Sequence, residues 1–217
     1  MTDFTIVLGN KAYSSWSLRG WLLLKQTGAA AEEVVIPLNR PETRERILRH
    51  SPSGRVPALK AGGLTVWDTL SIAEFLNERF PEAGLWPRDP EARALARSVS
   101  AEMHAGFATL RRLMPMDLRR GAPGRAPGPT GQLAADVARI AAIWKECRDR
   151  HGRSGDFLFG DFGAADAFYA PVATRFATYG VALDPTAAAY RDAVMNRPAM
   201  REWIAAAKAE TWVIENP

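Results

Sequence analysis

Short apolar runs alternate with helical stripes early in the chain, and only helical stripes follow. Phe4 to Leu8 is an apolar run with β-branched content, which predicts a buried strand ending at Gly9-Asn10. A hydroxyl-rich turn then leads into a helix that Gly28 ends; Trp21, Leu22, Leu23 and Leu24 make it apolar over most of its circumference. Val34 to Leu38 predicts a second strand, and Pro37 confines that part to a sheet edge or a strand end. Strand, helix, strand is a βαβ unit, which implies parallel pairing through a right-handed crossover. Pro41 to His50 predicts a short polar helix. Next, ALKA (Ala58 to Ala61) and LTVW (Leu64 to Trp67) flank Gly62-Gly63, a two-residue hairpin whose turn needs positive φ. Asp68-Thr69 opens a helix striped by Ile72, Phe75, Leu76 and Phe80, and Pro81 ends it. The expected first domain, residues 1–81, is an α/β unit with a mixed four-stranded sheet.

Glu82 to Pro90 is rich in turn formers, which places the domain boundary there and predicts an all-α second domain over residues 91–217. Ala92, Leu95, Val99, Met103, Phe107, Leu110 and Met114 recur at three- and four-residue intervals and predict one long helix. Gly121 to Gln132, with three prolines and four glycines, is expected to be a loop joining two helices. Leu133, Val137, Ile140, Trp144 and Cys147 stripe the next helix, and Phe168, Val172 and Phe176 the one after. Two closing helices, around residues 187–195 and 198–210, are separated at Pro198.

Composition narrows the function classes. Hydrophobic residues make up 47% and charged residues 24% of the 217, and no window approaches 18 apolar residues, so no membrane partner is expected. MTDFTIVLGN lacks the basic and apolar regions of a secretion signal, which points to the cytoplasm. A net charge of +4, with arginines scattered and not interleaved with aromatics, argues against a nucleic-acid partner. The one cysteine, Cys147, leaves no Cys-x-x-Cys motif, and no metal is expected. Its place on an apolar stripe predicts a buried, inert thiol.

Candidate chemistry concentrates at one helix start. Ser14, Ser15 and Ser17 bring small hydroxyls to the positive end of a helix dipole, where unpaired N–H groups also point, and together these can hold an anion. Farther along, His104, Phe107 and Arg111 are spaced i, i+3 and i+7, on a face expected to look towards the cleft between the domains.

Three segments carry a resemblance. The serine turn, PSGRVPAL (Pro52 to Leu59) and DTLSIAEFL (Asp68 to Leu76) resemble the thioredoxin-like N-terminal domain of the cytosolic glutathione transferases. GDFGAADAFYAPVATRF (Gly160 to Phe176) resembles the core-helix start of the same family, with Asp166 matching its capping acid and Gly163 standing where Ser or Thr is usual. Within the family, SSWSLR is most similar to the serine-type zeta class, whose turn reads SSCS and whose Cys serves a maleylacetoacetate isomerase reaction; here that position is Trp16. The resemblance implies glutathione as co-substrate, with the hydroxyl of Ser15 or Ser14 donating to its sulfur. Ser15 is favoured because it stands four residues before Arg19, as in other serine-type classes. It further implies that Ser17, Arg55, Val56, Pro57, Asp68 and Thr69 hold the tripeptide, with Pro57 in cis and the Val56 backbone pairing with the cysteinyl backbone. A hydrophobic electrophile is expected against Tyr13, Trp16, Met103, His104, Phe107 and Arg111, in a homodimer. Two alternatives stand beside the transferase: a glutathione-dependent cis-trans isomerase, and a non-enzymatic scaffold.

Overall fold

The computed structural model describes residues 4–119 and 130–214. Strand β1 (Phe4–Leu8) lies inside a four-stranded mixed sheet ordered β2-β1-β3-β4, with β2 (Ala31–Val35) parallel to it and β3 (Ala58–Ala61) and β4 (Leu64–Trp67) added antiparallel. Ile6, Val7 and Leu8 have no solvent exposure, as a strand covered on both faces requires. Helix α1 (Ser15–Gln26) makes the crossover between β1 and β2, and α3 (Thr69–Arg79) packs beside it. Helix α2 (Thr43–Leu48) is a short polar piece that buries Ile47. The Gly62-Gly63 hairpin is present, with Gly62 at φ +57.

Strand β2 begins three residues earlier than its apolar run predicts. At the sheet edge it needs only one covered face, so Glu32 and Glu33 are admitted, and Glu33 pairs with Lys11 at 2.5 Å. The chain leaves the ladder after the Ile36 N–H donates to the Leu8 carbonyl, because Pro37 has no N–H and that of Leu38 donates to Asn10 Oδ1.

After a 3-10 turn at Pro81–Ala83 the chain is helical: α4 (Pro90–Ala105), α5 (Ala108–Leu113), α6 (Gly131–His151), α7 (Ala164–Tyr179), α8 (Pro185–Asn196) and α9 (Pro198–Ala209). The expected single helix from Ala92 to Met114 is therefore two. Gly106 ends α4 by donating to the Glu102 carbonyl, and Phe107 takes a left-handed φ of +57 that re-aims the chain. Of the predicted loop from Gly121 to Gln132, residues 121–129 lie outside the described residues, and Gly131 and Gln132 already belong to α6.

Helix α7 is the hub of the helical layer. It is buried over nearly its whole length and packs on α1, α4 and α8. Trp144 of α6 meets Tyr169, Phe176 and Tyr190 with ring centroids 4.7–6.1 Å apart. Cys147 lies in this core, where burial pushes its thiol up to about 12, the inert state expected of it. Among the described residues no helix is long and apolar enough to cross a membrane.

Candidate functional site

The site is built outward from the start of α1. Ser14 is the N-cap: its Oγ accepts from the Ser17 N–H at 3.3 Å and donates to Ser17 Oγ at 2.8 Å. Ser17 Oγ also accepts from the Gly9 N–H at 2.9 Å, so two of the three serines are occupied in holding the turn. The Ser15 hydroxyl has no hydrogen-bond partner among the described residues, and its residue keeps 7% exposure. No acidic residue stands in the first turn of the helix itself.

Beside this start lies a cleft of about 400 Å³ lined by Trp16, Arg55, Val56, Pro57, Asp68, Thr69 and His104, together with Ser53 and Trp67. The Val56-Pro57 bond is cis, as the GRVP segment led us to expect. Pro57 packs directly on α1, where a Cβ on Gly20 would come within 2.8 Å of the Pro57 ring; glycine there lets helix and turn approach. On the other wall, Asp68 caps α3 by accepting from the Leu70 N–H at 2.9 Å. Its backbone is held at φ +72, a conformation costing on the order of 1–3 kcal/mol for a side-chain-bearing residue and typical of functional sites. His104 reaches across from α4, its Nε2 3.3 Å from Asp68 Oδ2 and its Nδ1 3.4 Å from Thr69 Oγ1. It therefore stands at the Asp68-Thr69 wall.

Half of the expected residues do not join this lining: Ser14, Ser15, Ser17, Tyr13, Met103, Phe107 and Arg111. Met103 is fully buried in the core, where it packs between α4 and its neighbours and does not line the cleft. Phe107 is carried off the α4 face by its own left-handed turn, and it and Tyr13 are partly buried against the core. Ser17 is fully buried and hydrogen-bonded to Ser14 and Gly9. Sequence reasoning missed Ser53 and Trp67. Ser53 sits in the PSGRVP segment, where a hydroxyl beside a glycine was a readable signal; Trp67, which immediately precedes Asp68, is 44% exposed.

Behind Trp16 lies a cluster of cations. Its indole ring covers the Arg19 guanidinium at 4.1 Å, meets the His104 ring edge-on at 4.9 Å, and has Arg111 at 5.9 Å. Arg19 is fully buried; its Nε donates to the Phe168 carbonyl at 2.9 Å while both terminal nitrogens lack partners among the described residues. Arg175, also buried, donates to the carbonyls of Met114 and Pro171 at 2.8 and 3.1 Å. Burial, then the neighbouring cations, lowers Arg19 well below its ordinary value and brings Arg175 to about 10; burial also lowers Arg111. A larger cavity of about 850 Å³, between the segment 82–89 and the start of α7, contains none of the expected residues. Its lining carries Glu82, Asp89, Asp161 and Asp166 against Arg88 and Arg197, a balance unsuited to an anion. Among the described residues no group of three or more His, Cys, Asp or Glu could hold a metal.

The family model for the glutathione S-transferase N-terminal domain matches residues 13–79, and that for the C-terminal domain matches residues 130–206. A probable maleylacetoacetate isomerase of Caenorhabditis elegans is 31% identical over 167 residues, 75% of each chain. The chain belongs to the glutathione S-transferase family. The fold of this transferase is likewise that of solved members. A zeta-class maleyl pyruvate isomerase superposes with a TM-score of 0.73 at 19% identity, covering 96% of this chain and 100% of the other. A transferase homolog from Burkholderia, solved with bound glutathione, gives 0.71 at 22%, covering 97% and 100%. The N-terminal family match begins at Tyr13, so it takes in the serine turn as well as Trp16, the cis-proline segment and the Asp68-Thr69 helix start that line the cleft.

Proposed function

We propose that this transferase binds glutathione in the cleft of Trp16, Val56 and Thr69 and activates its thiol through the Ser15 hydroxyl. The observation that carries the assignment is the division of labour at α1: Ser14 and Ser17 use their hydroxyls on each other, and Ser15 keeps a spare donor. A thiolate at a helix N-terminus gains from the dipole and from a donated hydrogen bond, which raises the reactive fraction of a thiol whose ordinary pKa is about 8.5. Val56 offers its backbone to the cysteinyl residue, while Asp68 and Thr69 at the α3 start take the γ-glutamyl ammonium and carboxylate. Arg55 lines the same cleft and takes an anionic end of the tripeptide. A hydrophobic electrophile lies against Trp16 and His104, with the protein working in the cytoplasm as a homodimer; sedimentation at the mass of one chain would defeat the dimer.

The test is the bound thiol. Removing the donated hydrogen bond costs about 1.5–3 kcal/mol, or roughly one to two pKa units. Ser15→Ala is expected to raise the thiol pKa of bound glutathione by that amount, followed by thiolate absorbance, and Ser14→Ala to raise it less. The opposite ranking moves the role to Ser14; glutathione binding without a shift in either variant rules out the hydroxyl mechanism. No binding in calorimetry at millimolar glutathione returns the chain to a scaffold role.

A second reading has its own support. Among the described residues the buried guanidinium cluster behind Trp16 holds no acidic partner for Arg19, and relatives of this chain are named isomerases of maleyl compounds. An anionic substrate entering past Trp16 fits glutathione-dependent cis-trans isomerisation. Trp16→Cys is expected to raise turnover of a maleyl-type diacid more than conjugation; equal effects on both remove the reading.

A further inference from the structure

The turn that carries the serines is held from outside its own domain. Within the first domain, the N–H groups of Tyr13 and Ser14 donate to the Asn10 carbonyl at 3.2 and 2.8 Å. Everything polar on the backbone of Lys11 and Ala12 is satisfied from the helical half. The Lys11 N–H donates to Glu210 Oε1 at 2.6 Å and the Ala12 N–H to Glu210 Oε2 at 3.2 Å. Their carbonyls accept from Trp203 Nε1 at 2.9 Å and from the Leu118 N–H at 3.1 Å. Glu210 follows α9 directly, in extended backbone at φ −62 and ψ 136, and its own carbonyl accepts from Arg119.

We infer that Glu210 is a positioning residue for the serine turn: its carboxylate spans two successive N–H groups and thereby sets where α1 begins and where the Ser15 hydroxyl stands. The inference rests on the serine reading above. The chemistry calls for a carboxylate. Two oxygens of one ionised group accept from two donors, and charge assistance makes such bonds about twice as strong as neutral ones. Glutamine of the same shape offers one oxygen and turns an NH₂ donor towards the other N–H, so one bond is kept and one becomes a clash of donors. The contact leaves Val56, Asp68 and Thr69 untouched, so it governs activation and not the seating of the tripeptide.

The experiment compares Glu210→Gln and Glu210→Ala with Ser15→Ala, measuring the thiol pKa of bound glutathione, kcat and KM with glutathione and an activated aryl chloride, and melting temperature. Glu210→Ala is expected to raise the bound thiol pKa by about 0.5–1 unit and lower kcat about three- to tenfold, since a unit of pKa is a factor of ten in the thiolate equilibrium. KM for glutathione should hold within about twofold, and Glu210→Gln, which keeps one hydrogen bond and sets a donor against the other N–H, should shift thiol pKa and kcat in the same direction as Glu210→Ala. Should the Ala variant fail to fold, the isosteric Gln variant decides alone. A lowered melting temperature with thiol pKa and kcat unchanged, while Ser15→Ala shifts the titration, overturns the inference and leaves Glu210 a structural tie. If Ser15→Ala itself shifts nothing, the serine reading fails and the inference falls with it.

Discussion

Helices α1 and α7 both begin in a tight turn and run into an apolar body, yet one start is open and the other closed. At α7, the fully buried Asp166 accepts from the Gly163 N–H at 2.9 Å and from the Leu158 N–H at 3.1 Å, and the Ala164 N–H goes to the Leu85 carbonyl at 2.7 Å. At α1, a neutral hydroxyl caps the helix, the Ser15 hydroxyl has no partner among the described residues, and the first turn carries no acid. A helix end whose acid is supplied by the chain is structure. An end whose first turn carries hydroxyls and no acid is one that an external anion can approach.

The largest expected effect comes from opening the closed end. Asp166→Ala leaves two buried N–H groups without an acceptor, at about 1–3 kcal/mol each, so chemical denaturation should show a loss of about 2–6 kcal/mol. The same carboxyl gives a pH signature. Burial pushes it up to about 6 from 3.8, so the folded chain keeps a proton that the unfolded chain releases in that window. Stability therefore falls as pH rises through the window, by about 3 kcal/mol for this group, and is level above it. The difference between the parent and Asp166→Asn, measured against pH, should trace that fall; a flat difference shows that the buried acid is not the cause.

A middle-sized effect tests why α7 lacks a hydroxyl cap. Restoring the family's serine at Gly163 ought to stabilise the helix on capping grounds alone. The Cβ would lie 2.9 Å from the Leu85 carbonyl, so Gly163→Ser is expected to destabilise by about 1–3 kcal/mol instead. A gain in stability would mean that the segment before α4 yields readily. The smallest effect belongs to the open end: Ser14→Ala removes the α1 cap and should cost about 1 kcal/mol in stability. A loss as large as that of Asp166→Ala would erase the distinction between the two starts.

The regular elements were legible because each carries a local signal: Gly62-Gly63 for the hairpin, Asp68-Thr69 for the α3 start, Pro198 between α8 and α9. The break at Gly106-Phe107 was not, because apolar positions continue in step on both sides and periodicity cannot register a single left-handed residue. The cleft was read through Val56, Pro57, Asp68 and Thr69, which lie in contiguous motifs. Glu210 was invisible, being 199 residues from the N–H it accepts, and only tertiary packing makes that pair. Arg19 stood in plain view inside an apolar helix, a misplaced charge whose partner, the Phe168 carbonyl, no local rule supplies.

Trp16 gives the cleft its own optical signal. Of the seven tryptophans, Trp21, Trp144 and Trp203 are buried in packing, Trp86 lines the larger cavity, Trp212 is exposed, and Trp67 shares the cleft but is 44% exposed. Trp16 alone sits with its ring against an arginine and a histidine on the cleft wall, so its emission is set by neighbours that a ligand must displace or approach. Occupancy of the cleft is therefore readable as a change in intrinsic fluorescence without a label, and Trp16→Phe identifies the share of that change that originates there.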